Sequence, residues 1–222
     1  MSKQWVRAQV KKNELQDTVD RGLRWAMENR QTAGIGAGAI ALVLLLAGLF
    51  LYSHHSRQTA AWDDLSLANG LAYSGQTDAA LKKVDEITAA YSGTSAAGYS
   101  LLFAGDMLFH KDRFADSEKY YKQLVDRGQP QVLLPLALGG LALAQETGGQ
   151  CAEAVKTGER FLGTYPEHFL AAQVHASLAR CEMTLGQRDT AKATLQKIAL
   201  QYPETSWATW AQEQLKALGG GV

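Results

Sequence analysis

Charge is missing from one long stretch of this chain: between Gln31 and Ser53 there is no Asp, Glu, Lys or Arg. That absence excludes an ordinary surface helix, which keeps a polar face toward water. Net charge is missing too, with 22 basic residues against 22 acidic ones, so the basic excess expected of a nucleic-acid binder is absent. Catalytic signatures are also lacking. No Walker loop, Gly-x-Ser-x-Gly elbow or His-Glu-x-x-His pair occurs. "GIGAG" at Gly34 to Gly38 has the look of a phosphate loop, but no strand precedes it and it lies inside the uncharged run. His54 and His55 read as solvated side chains. His168 and His175 share a helical face, but a zinc site needs further ligands, and Cys151 and Cys181 lie elsewhere. The expectation is a chain with no metal, no cofactor and no catalytic residues.

What is present divides into parts. "TAGIGAGAIALVLLLAGLFLY" spans about 20 residues, and a helix of that length is about 30 Å long, enough to cross a hydrocarbon core. Trp25 and Tyr52 sit near its ends, where amphipathic rings anchor in interfaces. A long basic lead and no nearby Ala-x-Ala site favour an uncleaved signal anchor. Residues 1–31 hold seven basic and four acidic side chains, +3, and residues 32–222 hold 15 and 18, −3. Basic residues collect on the cytoplasmic side of a span. The expected topology is a cytoplasmic head (1–31), a transmembrane helix (32–53) and an extracytoplasmic domain (54–222), periplasmic in a bacterium. In the head, Leu15, Val19, Leu23 and Ala26 fall near helical spacing among basic residues. This reads as a short helix on the membrane surface, or alternatively as a disordered tail. Gly34 and Gly38 form a small-xxx-small pair, a candidate homodimer contact.

The extracytoplasmic part repeats itself every 37 residues. The step from Gly75 lands on Asp112, Gly149 and Gly186; small residues recur at Ala68, Gly105, Ala142 and Ala179, and again at Ala80, Ser117, Ala154 and Ala191. Large apolar residues recur at Ile87, Leu124, Phe161 and Ile198. Each unit reads as a helical hairpin broken at the Gly position; Tyr165-Pro166 and Tyr202-Pro203 close the third and fourth, since Pro cannot continue a helix, and the first lacks that Pro. The small columns let the paired helices approach, and the large column fills the space between neighbouring hairpins. "TSWATWAQEQLKAL" reads as a terminal capping helix, N-capped by Thr205 or Ser206.

"GGQCAEAV" and the closing Pro resemble the tetratricopeptide repeat (TPR), over roughly Ala61 to Pro203. The family unit is shorter, which points to a longer second helix here. The resemblance implies an all-α fold: an N-terminal transmembrane helix, then a right-handed α-solenoid of about four hairpins and a capping helix. It also implies a partner-binding groove lined by first-helix residues: Leu65, Asn69 and Tyr73; Leu102, Asp106 and Phe109; Leu143 and Glu146; Arg180 and Met183. In such a stack Cys151 and Cys181 start and end neighbouring antiparallel helices; they form either a disulfide or two buried thiols. With its "KNELQDTV" and "WAMENR" head before a single span, the whole chain resembles the ancillary SecYEG translocon subunit family. That implies an inner-membrane adaptor in protein export or periplasmic quality control, binding the translocon, chaperones or client chains. The alternative is a structural scaffold in envelope assembly, such as cell-division, outer-membrane or polysaccharide machinery.

Overall fold

The computed structural model describes residues 17–219, and ten α-helices lie among them. Two compact units divide the chain, Met1–Ser56 and Arg57–Val222. Lys3, Arg7, Lys11, Lys12 and Leu15 of the basic head, and with them part of its expected helix, fall outside the described residues.

In the first unit, residues 17–28 form α1 and Arg30 begins α2, which runs to Tyr73. α1 is cleanly two-faced. Val19, Leu23, Ala26 and Met27 share one side, and Asp17, Asp20, Arg21, Arg24 and Glu28 the other, as the 3.6-residue period requires. The apolar part of α2 is long and apolar enough to cross a membrane by length and composition. Ile35, Ile40, Leu42 to Leu46 and Leu49 to Leu51 are all more than half exposed, so nothing described in the protein covers them. Neither Gly nor Pro interrupts the chain from Leu49 to Ala61, and the helix continues into the first repeat.

The second unit is the solenoid. The end of α2 pairs with α3 (Thr77–Ala90), α4 (Ser95–Phe109) with α5 (Phe114–Arg127), α6 (Leu134–Thr147) with α7 (Cys151–Thr164), and α8 (Ala171–Thr184) with α9 (Arg188–Gln201). α10 (Ser206–Ala217) follows and packs on α9. First and second helices are matched in length, 14 or 15 residues against 14. The added length of the repeat is therefore not in a longer second helix: Tyr91, Tyr165 and Tyr202 already stop those helices as C-caps. Thr94 and Thr205 stand three repeat lengths apart, and each caps the next helix through its hydroxyl, which accepts from Ala97 N and Ala208 N.

Each hairpin turns at the 37-residue column. Gly75, Asp112, Gly149 and Gly186 all adopt the left-handed conformation, with φ of 82°, 59°, 79° and 74°. Each turn carries the same pair of bonds. Gly149 N donates to Glu146 O and Gln150 N to Gln145 O, closing the last carbonyls of α6. Asp112 makes the equivalent turn without Gly, one of the few residue types that tolerate the region.

The other columns form the core. Ile87, Leu124, Phe161 and Ile198 are each 0% exposed. The small columns let helices close: Ser117 Oγ donates to the Gly105 carbonyl at 2.8 Å. Tyr121 wedges its ring between α4 and α6, where a Cβ added at Gly105 or Gly140 would lie 2.6 Å from it. Those two glycines exist to admit that ring.

Candidate functional site

The stack curves in a definite direction. Backbones of the first helices α4, α6, α8 and α10 approach one another in series, whereas those of the second helices α3, α5, α7 and α9 do not. Long side chains bridge the wider side: Tyr120 hydroxyl donates to Asp85 at 3.1 Å, and Arg113 pairs with Asp78 at 3.3 Å. The inner face is therefore the first-helix face.

On α4 the buried stripe is Ala97, Leu101, Ala104, Gly105 and Leu108. Directly opposite, at helical spacing, stand Tyr99, Phe103, Asp106 and His110. The same row in the other first helices is Trp62, Ser66, Asn69 and Tyr73; Leu136, Gly140, Leu143 and Thr147; Gln173, Ser177, Arg180 and Thr184. Asn69, Tyr73, Asp106, Leu143 and Arg180 of the expected groove lie in this row. The other expected residues do not. Leu65 is buried at 6% exposure against Ile87 and Ala97, a packing residue rather than a contact residue. Leu102 and Phe109 pack on the main core, as Phe103 of the row also does in part, with Phe109 edge-on to Phe114, and Met183 packs on the C-terminal core. Glu146 faces the neighbouring helix α8, where it accepts both guanidinium bonds of Arg180.

Sequence reasoning found Tyr73 but missed the other aromatic members, Trp62, Tyr99 and Phe103. Trp62, Tyr99, Leu136, Gln173 and Trp210 form one more 37-residue column. Trp62 and Tyr99 contact each other with centroids 5.2 Å apart, and the Arg180 guanidinium sits 5.7 Å from the Trp210 ring. The same step that revealed the small columns exposes this one. Between α2 and α4 lies a cavity of about 540 Å³ lined by Tyr73, Phe103, Asp106, Met107, His110 and their neighbours. Asp106 Oδ1 accepts from the Tyr121 hydroxyl at 2.6 Å. Although Asp106 is exposed, desolvation by the surrounding walls raises its pKa, partly offset by the Tyr121 bond.

Two polar networks hold the groove helices in place. In the third repeat Gln145 donates to Glu118 at 3.0 Å and accepts from Thr157 at 2.7 Å. One step on, Glu182 replaces Gln145, Thr194 replaces Thr157 and Val155 replaces Glu118. Glu182 keeps the Thr194 bond, but its Oε2 is buried without a partner. Burial therefore raises its pKa above the usual 4.5, helped by the Glu159 charge. The sign follows from proton uptake. With a raised native pKa, the native state holds a proton that the unfolded chain has lost, so stability falls as pH climbs from about 4.5 through the native value. Glu182→Gln is expected to remove this slope and raise stability at neutral pH. Urea unfolding across the pH range checks it: an unchanged slope in the variant contradicts the assignment.

Cys151, at the start of α7, and Cys181, late in α8, are joined in a disulfide with Cα atoms 4.8 Å apart. The bridge sits with Ala154 and Val155 and ties the third repeat to the fourth. His168 packs edge-on to Phe161, and His175 Nδ1 lies 3.0 Å from the Tyr202 hydroxyl. Among the described residues no His, Cys, Asp or Glu cluster able to hold a metal ion occurs.

Stacked helical hairpins with small residues at the interhelix crossings, curved toward their first helices, define a TPR-type α-solenoid. Residues 177–205 match the tetratricopeptide repeat family. Two solved structures share the fold. One holds the nearly identical TPR-like repeats of a Podosopora anserina protein described as a kinesin light chain, at TM-score 0.54 and 17% identity, over 72% of this chain and 86% of that one. The other is YrrB, a TPR protein with an unusual peptide-binding site, at TM-score 0.53 and 16% identity, over 71% of this chain and 77% of that one. No curated protein sequence matches the chain.

Proposed function

We propose that this protein is a membrane-anchored adaptor, not an enzyme, which holds protein partners or client segments against the first-helix face of its repeats. The observation that carries the reading is the inner row itself. Trp62, Tyr73 and Tyr99 stand exposed at 41%, 93% and 38% on a face that the solenoid's own packing leaves open. Exposed aromatic rings in a concave groove are where binding energy concentrates. YrrB, of the same fold, has a peptide-binding site by its description.

Anchoring rests on α2, whose uncovered apolar side chains need a lipid environment. The basic residues ahead of it orient the N-terminus to the cytoplasm and the repeats to the opposite side. A disulfide suits that side, because such bonds persist in oxidising compartments. In a bacterium the domain would be periplasmic. Together with the resemblance to the ancillary SecYEG subunit family, this favours a role in protein export or periplasmic quality control.

Protease added to spheroplasts tests the topology. Everything beyond about Ser53 should be digested while the head survives until lysis; repeats protected until lysis would overturn the extracytoplasmic role. Copurification in mild detergent tests the pathway: translocon and client chains are expected. Recovery of cell-division or outer-membrane assembly proteins instead would favour an envelope scaffold.

A further inference from the structure

One column of the inner face, through Asn69, Asp106, Leu143 and Arg180, carries two charged side chains with different surroundings. Arg180 is closed: Glu146 takes both its bonds and Trp210 lies beside it. Asp106 is open. Its carboxylate accepts from the Tyr121 hydroxyl and feels the neighbouring His110, and among the described residues no Lys or Arg is ion-paired with it. The carboxylate is exposed in the groove beside aromatic and apolar side chains, so a partner's cation can reach it and would be attracted to it. The walls suit a cation as well. Tyr73, 93% exposed, and Phe103 line the same cavity, and aromatic faces attract guanidinium and ammonium groups.

Building on the groove reading, we propose that the cavity between α2 and α4 takes one basic side chain of a bound polypeptide, an Arg or Lys flanked by apolar residues. Asp106 is its counter-ion, and Tyr73 and Phe103 are the aromatic walls. His110 and Lys111 line the cavity too, and their positive charge would disfavour a second cation beside the one that Asp106 holds, hence a single basic residue rather than a polybasic run.

Full-length protein in nanodiscs, titrated calorimetrically with two blocked peptides, tests this. One has the sequence Ser-Leu-Phe-Arg-Leu-Phe-Ser; in the other, uncharged citrulline replaces Arg. The Arg peptide is expected to bind about tenfold more tightly. In Asp106→Asn the two should bind alike, at the citrulline affinity. That variant keeps an acceptor for Tyr121, and Asn69 already stands at the equivalent position of the first repeat. An unchanged thermal melt confirms that it folds. Equal affinities in the wild type, or discrimination that persists in Asp106→Asn, overturn this inference and leave groove binding standing. Binding of neither peptide also overturns it; groove binding is then judged separately by cross-linking from groove positions.

Discussion

Phe161→Ala is expected to lower the stability of the repeat domain by about 3–5 kcal/mol. The side chain is 0% exposed, and its ring contacts Tyr165 and His168 with centroids 5.8 Å away in both cases. It also meets the groove helix α6, since a Cβ at Gly139 would lie 3.6 Å from it. Truncation therefore opens a cavity where the third hairpin meets its neighbours. Repeats are stabilised mainly by adjacent repeats, so the loss should spread to α6 and α8 rather than stay in α7. Urea unfolding followed by circular dichroism checks this, with a fall in midpoint as the expected result. Leu200→Ala, 80% exposed on α9, is the control and should stay within about 0.5 kcal/mol of wild type. A similar small shift for Phe161→Ala would contradict the packing assigned to the large apolar column.

Reducing the disulfide is the second large expected effect. The bridge spans a sequence separation of 30, for which loop-closure entropy predicts a stabilisation of about 3–4 kcal/mol. Unfolding with and without reductant measures it. The effect should be concentrated in the C-terminal half, because the bridge joins the third repeat to the fourth. Labelling of thiols under denaturing, non-reducing conditions gives an independent answer on protein extracted from cells. No labelled thiol is expected, and two labelled thiols per chain would show the cysteines to be unpaired in the cell.

Much of the fold was legible because a repeat registers each structural need several times over. Gly75, Gly149 and Gly186 announce the left-handed turn, and Asp112 can be placed there only by their register. Ala68, Ala142 and Ala179 announce the close crossing that Gly105 also makes. The groove was less legible, because helical spacing identifies a helix before it identifies which face is buried. Leu65 and Asn69 stand one turn apart, yet one packs on Ile87 and the other borders the groove. The direction of curvature, which settles the matter, comes from the relative approach of first and second helices. Pairings across repeats were not legible at all. Nothing in the sequence assigns Glu146 to Arg180, or leaves Glu182 without the partner that Glu118 supplies one repeat earlier. Such bonds depend on side-chain reach between helices about 35 residues apart, and the period constrains positions rather than rotamers.

The central claim is that partners are held on the first-helix face. Site-specific photo-cross-linking in living cells tests it most directly, with benzoylphenylalanine placed singly at Asn69, at Leu143 and at Leu200. Asn69 and Leu143 lie in the inner row of the first and third repeats, and Leu200 is exposed on a second helix. Discrete adducts from Asn69 and Leu143, with none from Leu200, are the predicted result. Adducts from Leu200, with none from either inner position, would contradict it.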